Sequence, residues 1–205
     1  MDNTKTTKRR SPARILLRIV LILLALIVLA ALVLWIIPLT ERDDGSTVDG
    51  SADWMAKVDG SQSLSALAIP GTHDSATQYS QLAFFSKCQT KDIRAQLDAG
   101  FRYLDIRLAV DGDRLKLVHG FTACKTGPMP WSDTLYLDDV LDQCYAFLKE
   151  HPTETILFVV KQDCKVRDSF RVAYTDLLCG IPIHVDSPVV PTNVALFSVI
   201  YIPCV

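Results

Sequence analysis

Leu67-Ala68-Ile69-Pro70-Gly71-Thr72-His73-Asp74-Ser75-Ala76-Thr77 reads as a short buried strand running into a tight turn. Residues 66–69 are apolar, and Pro70-Gly71 stops the strand, because proline lacks a donor and glycine accepts unusual backbone angles. The turn sets a histidine and an aspartate side by side at the carboxyl end of a strand. Alone, such a pair is an ordinary surface feature. It gains meaning from three strands that follow: one carrying Asp105 and Arg107, one ending in His119-Gly120, and one ending at Lys161.

Outward from that stretch, Thr90 is placed to cap a helix over residues 91–99, with Ile93 and Leu97 on one face and Gly100 at its end. Residues 103–110 alternate. Leu104, Ile106 and Leu108 point one way; Tyr103, Asp105 and Arg107 point the other. An acid and a base on the inward face of a strand are costly unless they line a wet cavity or pair with each other, so a structural ion pair competes with a functional reading. Asp111-Gly112-Asp113 signals a turn. Residues 115–119 form the next strand, residues 137–150 an amphipathic helix with Leu137, Val140, Leu141, Cys144, Phe147 and Leu148 as core, and residues 155–161 a strand covered on both faces. His151 reads as a helix-terminal residue, and residues 167–178 as one more helix. Strands alternating with helices predict an α/β fold of parallel βα units, which place polar groups at strand carboxyl ends.

The amino-terminal part differs in kind. Of 21 basic and 23 acidic residues, six basic ones (Lys5, Lys8, Arg9, Arg10, Arg14, Arg18) and only Asp2 lie in residues 1–37, leaving 15 against 22 and a net of −7 for the rest. An acidic domain argues against nucleic acid as partner. Residues 19–37 are apolar and uncharged, about the length that spans a bilayer. The flanking basic cluster puts residues 1–18 in the cytoplasm and the rest outside. Trp35-Ile36-Ile37 carries the run past Ala30-Ala31, which favours an uncleaved signal anchor over a signal peptide. Residues 38–53, rich in Asp, Gly and Ser, read as a flexible stalk, and residues 54–205 as the folded domain. The six cysteines (Cys88, Cys124, Cys144, Cys164, Cys179, Cys204) form no CxxC pair, which disfavours zinc, and an outward location permits disulfides.

Five separate motifs occur in order: Trp54-Met55; Ile69-Pro70-Gly71-Thr72-His73-Asp74-Ser75; Gln96-Leu97 with Gly100-Phe101-Arg102-Tyr103-Leu104-Asp105-Ile106-Arg107; His119-Gly120; and Pro152-Thr153-Glu154-Thr155 with Lys161. Together they resemble the X region of phosphatidylinositol-specific phospholipase C, closest to the bacterial secreted type, over roughly residues 54–165. The resemblance implies a TIM-barrel-like fold and cleavage of phosphatidylinositol or a related phosphodiester lipid at a membrane. It implies His73 as the general base toward the inositol 2-hydroxyl and His119 as the general acid toward the diacylglycerol oxygen. Asp74 would tune the cluster, Arg107 would bind the phosphate, Lys161 would contact the ring or phosphate, and Asp105 would orient its neighbours. Two histidines can hold opposite protonation states near neutral pH, as an acid–base pair requires. Eukaryotic members hold calcium with acidic residues of this region; Arg107 occupies one of those places, so no metal and no cofactor is expected.

The sequence departs from the family pattern after Asp186. Pro191-Thr192-Asn193 stands where a Gly-Glu-x-Arg-Gly-Lys segment is usual, and residues 194–205 are an apolar run. A TIM barrel takes about 200–250 residues, whereas residues 54–205 number 152. The expectation is therefore the amino-terminal part of a barrel, truncated. An acidic partner for the acid histidine and ring-binding groups from later strands would be missing. A non-catalytic relic that binds inositol phosphate or anionic headgroups is the alternative. Cys88 precedes the Thr90 helix and Cys124 follows His119 by five residues, so both are placed near the mouth of the site and a disulfide between them is predicted.

Overall fold

The strand at the centre of the sheet is the alternating one. The computed structural model describes residues 11–41, 43, 45–49 and 51–163. Within them β2 (Tyr103–Asp111) buries Leu104, Ile106 and Leu108 completely and leaves Tyr103, Asp105 and Arg107 on the other face. The acid and the base of β2 therefore share one face of the sheet.

One edge of β2 pairs in parallel with β5 (Leu157–Gln162), Arg107 opposite Lys161. The other edge is shared by two strands that arrive from opposite directions. β1 (Gly71–Thr72) runs parallel and pairs with Tyr103 and Leu104. β3 (Arg114–His119) runs antiparallel, folded back by a turn at Gly112 (φ 64°), and pairs with residues 108–111. The carboxyl ends of β1 and β3 thus face each other across Asp105–Arg107. A short β4 (Thr122–Ala123) continues antiparallel to β3. The expected uniform set of parallel units is corrected here. Only two residues separate β2 from β3, too few for a crossover, so the chain makes a hairpin.

The strand expected before Pro70 forms after it. Residues 66–70 are partly or fully exposed, and ladder pairing begins only at Gly71. Gly71 is required there because a Cβ would lie 2.7 Å from Tyr103 Cβ. Pro70 O accepts the Arg102 and Tyr103 N–H groups (2.9 and 3.1 Å) and so aligns the two strands.

α4 (Leu137–Glu150) matches the periodicity in its bounds and its buried face. Burial of Leu137, Val140, Leu141, Cys144 and Phe147 against β2, β3 and β5 makes the core, joined by Ile93 and Leu97 of α3 (Ile93–Asp98), which follows the single-turn α2 (Ala83–Ser86). The cap of α3 is Asp92, not Thr90: its Oδ1 accepts the Ala95 N–H at 2.7 Å. His151 caps α4 and bonds Asp53 (2.8 Å), a structural position as expected.

The domain also holds a buried ion pair. Arg102 and Glu154 are both fully buried, with Nε to Oε2 at 2.9 Å. Arg102 also donates to Leu97 O (2.7 Å), Phe101 O (2.9 Å) and Ala52 O (2.7 Å), and its guanidinium lies 4.6 Å over the Phe147 ring. Glu154 Oε1 accepts the Met55 N–H (3.1 Å). The pair ties residues 51–57, α3, α4 and the approach to β5 to one point. Val48 N–H bonds Ala99 O (2.7 Å), so part of the expected stalk is anchored to the domain.

The amino-terminal unit is a separate helix, α1 (Pro12–Thr40), exposed almost throughout. It is wider than the apolar run, and 29 residues give about 43 Å, enough to cross a bilayer. The helix expected at 167–178, and Cys164, Cys179 and Cys204, lie outside the described residues.

Candidate active site

The gap between the ends of β1 and β3 is filled by residues 73–75. Ser75 N–H bonds Asp105 O (2.9 Å), Ser75 Oγ accepts the Asp105 N–H (2.9 Å), and the Asp74 N–H bonds Asp105 Oδ2 (3.0 Å). A loop therefore does the pairing that a strand would do, with the Ser75 side chain as part of that pairing. Gln96, wholly buried, locks this loop: its amide donates to Ser75 O (2.7 Å) and Lys91 O (2.8 Å), and its Oε1 accepts from Thr72 Oγ1 (2.6 Å).

Asp74 takes a left-handed φ of 50°, a conformation that Asp tolerates better than most residues. It is buried, and its Oδ2 contacts His119 Nδ1 and lies 3.4 Å from Arg107 Nη1. Burial holds the Asp74 carboxyl above its ordinary value, outweighing the opposing pull of Arg107 and His119. The expectation that His119 would lack an acidic partner is therefore revised, since Asp74 meets it. This is a correction from geometry: β3 returns antiparallel and brings His119 to the loop after β1.

His73 is exposed, with Nδ1 3.3 Å from both Asp105 Oδ2 and Arg107 Nη2. Arg107 meets three carboxylates: Asp105 (3.2 Å), Asp74 (3.4 Å) and Asp163 (3.6 Å). Burial works against its charge, but the hydrogen bond to Asp105 and the other carboxylates outweigh that and push its pKa up. The guanidinium is permanently charged and pre-oriented. Lys161, opposite Arg107, points its Nζ to Asp163 Oδ1 at 3.8 Å.

Asp163 was not singled out by the sequence. It also accepts the Gly120 N–H, so it joins β5 to the turn after His119. The available signal was its place two residues after Lys161, on the same face of an extended chain. An open cavity of about 540 Å³ has His73, Tyr103, Asp105, Arg107, Val159 and Lys161 among its lining residues. That size suits a small polar ligand.

The predicted Cys88–Cys124 disulfide is corrected: both thiols are free. Cys124 is fully buried, its thiol pushed up to about 12 by burial. Cys88 instead turns toward the site, its Sγ 3.9 Å from His119 Nδ1 and 3.8 Å from Ser86 O.

Known proteins carry the same pattern. The family model "Phosphatidylinositol-specific phospholipase C, X domain" matches residues 61–177. The 1-phosphatidylinositol phosphodiesterase of Listeria monocytogenes is 34% identical over 122 residues, covering 57% of this chain and 35% of the relative. Its namesake in Staphylococcus aureus is 30% identical over 141 residues, covering 63% and 41%. The chain thus spans well under half the length of these relatives. Two solved structures of the Staphylococcus aureus phosphatidylinositol-specific phospholipase C superpose with TM-scores of 0.51 and 0.53 at 29% and 28% identity; each match covers 68% of this chain, and 45% and 46% of theirs. On the family-model match, this chain belongs to the phosphatidylinositol-specific phospholipase C X-domain family.

Proposed function

We propose that the chain is a membrane-anchored phosphodiesterase that cleaves phosphatidylinositol into diacylglycerol and inositol 1,2-cyclic phosphate. The observation that carries this reading is the contact of Asp74 with both His119 and Arg107, which joins a proton donor to a phosphate-binding group. With Nδ1–H directed to Asp105, the His73 Nε2 lone pair takes the proton of the inositol 2-hydroxyl as its oxygen attacks phosphorus. The developing charge on phosphorus falls to Arg107, with Lys161 beside it. His119, its Nδ1–H held by Asp74, gives the Nε2 proton to the departing diacylglycerol oxygen. Attack is intramolecular, which replaces a bimolecular encounter and favours the cyclic product. The sheet would open a TIM-barrel-like domain, and α1 would anchor it. Phe85 and Phe121, 73% and 86% exposed, support a lipid-facing rim, since their segments are joined by Gln81 N–H to Ala123 O (2.9 Å).

Phosphorus NMR of the full chain with phosphatidylinositol vesicles tests the chemistry. The first new resonance is expected to be the five-membered cyclic phosphate, with a calcium chelator making little difference. An acyclic first product, or activity abolished by chelator and restored by calcium, would overturn the mechanism. No cleavage, with retained headgroup binding, would hand the site to the non-catalytic alternative.

On this reading residues 1–18 lie in the cytoplasm and the domain outside. Protease added to intact cells is expected to remove the domain and leave a short anchored stub; a fully protected domain would refute that orientation.

A further inference from the structure

Cys88 has no part in the acid–base scheme, yet it sits among groups that ligate metals. Single ligand atoms of His73, Asp74 and Cys88 all lie within 4.8 Å of one another, and Cys88 Sγ is 3.9 Å from His119 Nδ1. We propose that these three residues form an inhibitory site for a thiophilic divalent cation such as zinc, independent of any metal in the reaction itself. Atoms on a tetrahedral zinc stand roughly 3.3–3.7 Å apart, given bonds of about 2.0–2.3 Å. Closing from 4.8 Å is within the reach of side-chain rotation, because the His73 ring is 64% exposed and can turn.

The donor set is of the right kind: a nitrogen, a sulfur and a carboxylate oxygen select zinc over calcium or magnesium. Three protein ligands leave a fourth place for water or His119. The surrounding charges admit a cation. Asp74, Asp105 and Asp163 stand against Arg107 and Lys161, a net of −1 with the histidines neutral. Arg107 is the repelling neighbour, and it keeps Asp105 and Asp163 when the cation takes Asp74. Binding displaces the thiol proton to solvent and forms a sulfur–metal bond, with no change of oxidation state. On the phosphodiesterase reading above, the cation removes the lone pair of the base and the carboxylate that orients the acid, so it stops turnover.

Cobalt(II) titrated into the untagged full chain is the probe. A saturable one-to-one thiolate-to-cobalt charge-transfer band is expected, lost in Cys88→Ser and displaced by zinc. His73→Ala is expected to weaken cobalt binding by at least about tenfold, since removing even an outer-shell group costs that much. Zinc is expected to inhibit cleavage by the natural chain, and Cys88→Ser to retain cleavage while resisting zinc at least about tenfold. No thiolate band, or a band undiminished in Cys88→Ser, would overturn the site. The band present in a chain that cleaves nothing would uphold the site and refute the catalytic reading.

Discussion

On the proposed mechanism, His73→Ala and His119→Ala are each expected to lower phosphodiester cleavage by about 10²–10⁴, the contribution of a positioned acid or base. If His73 and His119 serve one transition state as proposed, the double variant is expected to fall little further than the worse single one. Initial rates on phosphatidylinositol, with circular dichroism to verify folding, decide it; losses that multiply would separate the two histidines. Arg107→Lys is also expected to fail badly, because an ammonium cannot replace a planar fork held by three carboxylates.

The largest loss of stability is expected at Glu154→Ala, about 3–5 kcal/mol, the cost of breaking a buried pair by removing one partner. Arg102 would be left charged and fully buried, its pKa already pushed down by burial, with only carbonyls and the Phe147 face for company. The Met55 N–H would lose its acceptor as well. Urea unfolding measures this; a shift under about 1 kcal/mol would show that water replaces the carboxylate. The paired change Arg102→Met with Glu154→Leu is expected to recover much of the loss, since apolar groups of similar volume often match a buried ion pair.

What the sequence disclosed follows the strength of local signals. The period-two pattern of residues 103–110 and the helical period of residues 137–150 survive in β2 and α4 because each has one strongly apolar face. Short elements were less legible. Pro70-Gly71 marked a break correctly, but the strand lay on its far side, decided by the long-range pairing with Tyr103. Asp92 displaced Thr90 as a cap because the two compete within one turn. The direction of β3 decided which acid met His119, and no local signal in residues 114–119 carries that. Asp163 and Gln96 act through partners 43 and 24 residues away, to Gly120 and Thr72. The Cys88–Cys124 bridge failed because nearness to a site says nothing about where two thiols point. Arg102 and Glu154 carry part of the family's pattern for a structural reason, not a chemical one.

The hairpin at Gly112 has a longer reach than its position suggests. It lies at the end of β2 away from β1, yet it counts out where His119 arrives. Side chains on β3 alternate between faces, so a slip of one residue between residues 108–111 and 114–117 would turn His119 over and carry it away from Asp74. The length of this turn is therefore a ruler for the acid–base distance. An inserted residue there would silence the chemistry while leaving every residue of the site unchanged.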